Sequence, residues 1–156
     1  MGAFDPELWA KSQLEEGIPQ YARLVFLRQA WKHIIADGDC SWIDPLIQES
    51  ERRPRDPGAG AGPALERLLA AGVAREDISD VVRVMQWHVL AGLAYQLADP
   101  GVVEYPSEEV PRVDWTLFEV DEAGKPLHPI DGLHESVLDT DPSGREMRPK
   151  GIGREG

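Results

Sequence analysis

The amino-acid sequence predicts a mainly α-helical chain of about five helices, two of them long and central, with a small C-terminal β-hairpin-like appendage. Three observations carry this. Apolar residues recur at helical spacing as far as about residue 98. Prolines at positions 100, 106, 111, 126, 129, 142 and 149 rule out a long helix beyond it. Between them, Trp115-Thr116-Leu117-Phe118-Glu119-Val120 is rich in strand formers. The 156 residues suit one domain, with a helical core over 1–100 and an extended appendage over 101–150.

The elements follow in order. Asp5-Pro6-Glu7 reads as an N-cap followed by proline in the first helical position, which opens a short helix ending near Gly17. From Gln20 to about Ala36, Tyr21, Leu24, Leu27, Trp31, Ile34 and Ile35 share one face, so a long amphipathic helix is expected. Asp37-Gly38-Asp39 ends it, and Ser41-Trp42-Ile43-Asp44-Pro45 restarts a helix that runs to about Arg52. The next residues, 52–63, hold three prolines, three glycines and three arginines. With so few apolar side chains to offset the entropy of ordering, they predict a flexible surface loop. Helix resumes at Pro63 and stops at Ala71-Gly72, with Leu65, Leu68 and Leu69 facing inward.

Arg75-Glu76-Asp77 then opens a segment that stays helical to Asp99-Pro100 and is apolar almost all round in its second half. That half is too short and too polar to span a bilayer, which needs about 20 predominantly apolar residues. It reads as a buried central helix, with Gly92 marking a close crossing with the 20–36 helix. Asp121-Glu122-Ala123-Gly124 is a turn signal before Lys125-Pro126-Leu127-His128, giving a hairpin whose second strand lies at an edge. Ser136-Val137-Leu138 adds one further short strand to the expectation.

Charge bounds the function. The chain carries 28 acidic and 16 basic residues, a net charge of −12, and the excess is spread along its length. A field of this sign repels nucleic acid and anionic lipid and attracts a basic protein, more weakly as salt rises. Acidic residues at 5, 7, 15 and 16 do not suit an export signal, and Pro6 breaks a myristoylation pattern. Cys40 is the single cysteine, so neither an internal disulfide nor a multi-thiolate zinc site is available, which fits a reducing, cytoplasmic setting.

Chemistry-bearing residues are few. Asp139-Thr140-Asp141-Pro142-Ser143-Gly144 matches the first half of a calcium loop, with Asp139, Asp141 and Ser143 as candidate metal ligands. The position for the closing bidentate glutamate is Lys150, and the same run is what two tight turns look like without an ion. His128 and His134, with Glu135, are the candidate catalytic residues; with Asp131 and Asp139 near in sequence they also offer imidazole and carboxylate ligands. No nucleophile or oxyanion donor stands beside them. His88, in the apolar helix, reads as a packing residue. Adjacent carboxylates make Cys40 a poor nucleophile. No phosphate loop, paired cysteine motif or nucleophile elbow is present, and Gly58–Gly62 is a linker with no preceding strand. No cofactor is implied. Of the five tryptophans, Trp42 stands among acidic residues and, with Asp44, is the candidate for partner contact.

These features rank three functions. The first is a non-catalytic acidic protein-binding module, an inhibitor, immunity-like protein or regulatory adaptor, whose partner is a basic protein. The second is a small enzyme using the C-terminal histidine and carboxylate group. The third is a structural subunit whose apolar helix completes a homodimer.

Overall fold

The computed structural model describes residues 6–16, 20–98 and 115–149 and is mainly helical, with six helices and one two-stranded antiparallel sheet among them. The helices are α1 (Pro6–Glu16), α2 (Gln20–Trp31), α3 (Ile43–Arg52), α4 (Ala61–Ala70), α5 (Arg75–Ala98) and α6 (Leu133–Ser136); the strands are β1 (Phe118–Val120) and β2 (Pro126–Pro129). Two compact units emerge. One is drawn from Met1–Ile34 and Trp87–Gly156, the other from Ile35–Gln86. The N-cap expected at Asp5 and residues 99–114 lie outside the described residues.

In the first unit α1 and α2 are joined by the Tyr21 amide, which donates to Gln13 Oε1 at 2.9 Å. Helix α2 stops at Trp31, short of the expected Ala36, because the chain tightens. Lys32, His33 and Ile34 donate to Gln29, Ala30 and Trp31, three residues back. Leu24, Leu27, Trp31 and Ile34 are buried, as the 3.6-residue spacing requires, whereas Tyr21 at the start of the same row is exposed.

Leu27, Trp31 and Ile34 pack with Ala94, Ile130, Leu133 and Val137, so this core joins α2 to the end of α5 and to α6. The indole of Trp31 donates to the Val137 carbonyl and to Thr140 Oγ1, each at 3.1 Å. Arg23 Nη1 reaches Ser136 Oγ at 3.3 Å. Its guanidinium lies so close to Gly132 that a Cβ there would fall 2.8 Å from Nη2, and Gly132 also has φ +62°, so this entry to α6 requires glycine.

Residues 136–138 are therefore not a strand. Ser136 ends α6 and Val137 continues in right-handed helical geometry. Thr140 closes the turn by donating from its hydroxyl to the Ser136 and Val137 carbonyls, and Trp31 pins the same turn. Tertiary contact here overrides the strand propensity of Val137 and Leu138.

The hairpin forms as expected from local signals. Asp121 Oδ1 accepts from the Ala123 and Lys125 amides, both at 2.9 Å, and Gly124 takes the left-handed conformation that closes the turn. Pairing runs Phe118 to Pro129 and Val120 to Pro126 with a register shift between them, and each strand is an edge. The Trp115 indole donates to the Gln96 carbonyl at 2.9 Å, tying the start of the hairpin to the end of α5.

The second unit has its own core of Ile43, Leu65 and Ile78, with Leu46, Ile47, Leu69 and Val82 packed around it. Helices α3 and α4 cross closely at Gly62, where an added Cβ would stand 2.4 Å from Ser50 Cβ. Gly62→Ala is expected to destabilise this unit by about 1–3 kcal/mol despite alanine's better helix propensity, because both backbones must move. A urea titration followed by circular dichroism checks this; a more stable variant would mean the crossing is loose. Between the helices, residues 53–60 make successive turns in which Asp56, Ala59 and Ala61 donate to Arg53, Asp56 and Gly58. Leu68, expected inside, is 44% exposed. Ile35 is held at both backbone groups: Arg83, itself buried, donates to its carbonyl, and its amide donates to Gln86 Oε1 at 2.9 Å.

Helix α5 departs from the sequence reading. Ile78, Ser79, Arg83 and Ala94 are buried, but Val81, Val84 and Met85 in one unit and Val89, Leu93 and Tyr95 in the other are exposed. Among the described residues nothing lies within 4 Å of a Cβ placed on Gly92, so the expected close crossing with α2 is absent. Among the described residues no helix is long and apolar enough to cross a membrane.

Candidate functional site

The C-terminal candidates are placed by three different elements. His128 sits on β2, and its Nδ1 lies 3.4 Å from Glu119 Oε2 on β1, an exposed cross-strand pair. His134 sits on α6, where its ring meets that of Tyr95 edge-on, with centroids 5.2 Å apart. Glu135 and Asp139 are both exposed. Each histidine thus has a neighbour of its own, and among the described residues no group of three or more histidine, cysteine, aspartate or glutamate side chains is placed to hold a metal ion.

Asp141 is wholly buried and its carboxylate organises the chain around it. Oδ1 accepts from the Ser143 amide at 3.0 Å, and Oδ2 accepts from the Ser143 hydroxyl at 2.7 Å and the Met147 amide at 3.0 Å. Gly144, Glu146 and Met147 all have positive φ, which folds the chain back so that the Met147 amide reaches Asp141 while its side chain joins the first unit's core. In a calcium loop the first, third and fifth side chains turn inward on one ion. Here Asp139 faces out, Asp141 faces in, and Ser143 donates to Asp141. The arrangement is a pair of tight turns with a buried carboxylate at the centre.

At the start of α3, Trp42 is half-buried against the second unit's core, and its indole donates to Ser79 Oγ at 3.0 Å. Ser79 Oγ in turn donates to Cys40 Sγ at 3.5 Å. Asp44 accepts from Arg75 at 2.7 Å and remains exposed; this hydrogen bond raises the Arg75 guanidinium above its ordinary value. Nearby, the Asp39 carboxyl is held below the ordinary aspartate value by its hydrogen bonds with Ser41, whose amide lies 2.8 Å from Oδ1.

No protein-family model, curated protein or solved structure matches this chain. The functional reading therefore rests on its own residues. A cleft of about 290 Å³ lies in the second unit, lined by Leu46, Glu49, Ser50, Arg53 and the 56–59 turn. Sequence reading missed it because part of its lining is the proline- and glycine-rich run, whose turns do not show in hydrophobic spacing. Arg53 is already engaged there by Glu49 at 3.1 Å and Asp56 at 3.8 Å, so the cleft does not offer a free cation to an anionic ligand.

Proposed function

We propose that this chain is a non-catalytic, acidic protein-binding module, an inhibitor or regulatory adaptor, whose partner is a basic protein. The observation that carries the reading is the disposition of charge. The chain has 12 more acidic than basic side chains, and among the described residues several of its cations are engaged internally. Lys11 pairs with Glu15, Arg52 and Arg53 with Glu49, Arg75 with Asp44 and Arg148 with Glu146, while Arg83 is buried. What faces outward is surplus carboxylate, which favours encounter with a cationic surface. The segregation of His128 and His134 onto separate neighbours supports binding over an enzymatic reading.

The start of α3 is the place of contact in this reading. Exposed ion pairs of the Asp44–Arg75 kind are worth about 0–1 kcal/mol, so a partner's arginine or lysine competes for Asp44 at little cost. The test is affinity capture of the tagged chain at low and high salt, identifying what co-purifies in stoichiometric amount. A basic partner is expected at about 0.1 M salt and lost near 1 M, where the screening length falls from about 10 Å to about 3 Å. Capture should survive His134→Ala and weaken in Asp44→Asn. Recovery of the chain alone at both salts, or a complex indifferent to salt, would remove the proposal.

A further inference from the structure

Arg23, on α2, carries a positive charge for which the described residues supply no carboxylate. Its side chain is half-buried, its Nε is enclosed, and among the described residues that Nε has no hydrogen-bond acceptor. The hydrogen bond its guanidinium does make runs from Nη1 to Ser136 Oγ at 3.3 Å, and that hydroxyl belongs to a buried residue. We propose that Arg23 and Ser136 form a binding site for a small oxyanion, a phosphate or a carboxylate.

Donors outnumber acceptors at this place. A guanidinium only donates, and the Ser136 oxygen that accepts from it still has its own proton to give. An enclosed donor without an acceptor costs free energy, and a half-buried cation without a counter-charge costs more, so a folded chain retains such groups where something else pairs with them. An oxyanion supplies both missing parts. It brings negative charge and several lone pairs, and the planar fork of a guanidinium matches the edge of a carboxylate or phosphate.

The surroundings are shaped to hold the guanidinium there. A Cβ on Gly132 would fall 2.8–3.0 Å from Nη2, Cζ and Nη1, so a larger residue at 132 would displace Arg23 from Ser136. The Ser136 carbonyl accepts from Thr140 Oγ1 at 2.9 Å, which fixes the turn that carries the hydroxyl. Asp131 and Glu135 are neighbours in sequence and exposed, yet among the described residues neither pairs with Arg23. In a chain with 28 acidic residues, a half-buried arginine without a carboxylate beside it selects an anion from outside. Because the net charge repels anions at long range, recognition rests on the hydrogen bonds at short range. The site does not depend on the partner contact proposed above.

The experiment titrates the isotopically labelled full chain with sodium phosphate, and separately with sodium acetate, against sodium chloride at equal ionic strength, following the arginine Nε–H resonances. The Arg23 signal, assigned by its loss in Arg23→Lys, is expected to shift saturably with one or both oxyanions while that of the exposed Arg55 stays in place. The tighter of the two identifies the source as a phosphate-bearing or a carboxylate-bearing ligand. Binding also raises the melting temperature above its value in chloride. Ser136→Ala, which keeps the charge and loses the hydroxyl, should weaken binding about tenfold, and Arg23→Lys, which keeps the charge and loses the fork, by about as much. Circular dichroism confirms that both variants fold; if either does not, the native titration decides alone. An Arg23 signal indifferent to both oxyanions would mean that water satisfies the Nε–H, and overturns the proposal. So does an equal shift in chloride or at Arg55, which is screening, or an unchanged affinity in both folded variants.

Discussion

Replacing Trp31 with alanine is expected to destabilise the unit built from α2, α6 and the end of α5 by several kcal/mol. Trp31 is 3% exposed, occupies the middle of that core, and its indole holds the Val137 carbonyl and Thr140 hydroxyl at 3.1 Å. Truncating a buried tryptophan costs about 3–5 kcal/mol, which is a large share of the total stability of about 5–15 kcal/mol typical of a domain. Trp31→Phe separates the two contributions. It keeps most of the volume and removes the N–H, but Thr140 still donates to the Val137 carbonyl, so its cost should be nearer 1 kcal/mol. Urea titrations of both variants, followed by circular dichroism, provide the check. Equal losses would show that the hydrogen bonds, and not the packing, anchor α6 to α2.

The second large effect is expected at Asp141. In Asp141→Ala the Ser143 and Met147 amides lose their acceptor inside a partly buried turn, and each unsatisfied donor costs about 1–3 kcal/mol. The combined loss of about 3 kcal/mol or more should appear as a lower urea midpoint. Asp141→Asn, which retains one carbonyl acceptor, should lose about half as much. Because the carboxylate oxygens are already occupied by these donors, calcium should leave the melting temperature of the native chain unchanged; a rise would show that the loop opens to take an ion.

How much of this was legible depends on the range of the contacts responsible. The hairpin was readable because its cause is local: Asp121 bonds residues two and four positions on, and Gly124 supplies the positive φ. The buried row Leu24, Leu27 and Trp31 was readable for the same reason, being a period within one helix. Ser136–Leu138 was misread because what decides its conformation is Trp31, more than a hundred residues away. Periodicity also failed on α5, where valines, methionine and leucine fill an exposed face as well as a buried one. Among the site candidates, the turn chemistry of Asp141 and Ser143 was visible in sequence. The directions of His128 and His134 were not, since they follow from a register shift and a single turn of helix.

The pairing of Trp31 with Val137 also governs the order in which the molecule can be assembled during its own synthesis. The two residues are separated by 106 positions, while the unit over Ile35–Gln86 is contiguous in the chain. At the usual rate of about 5–20 residues per second, α2 therefore emerges with its tryptophan and leucines uncovered for about 5–20 s before its partner residues exist. The middle of the chain has everything it needs to fold in that interval. The nascent N-terminal segment does not, and it is the part of this protein that a chaperone would be called on to hold.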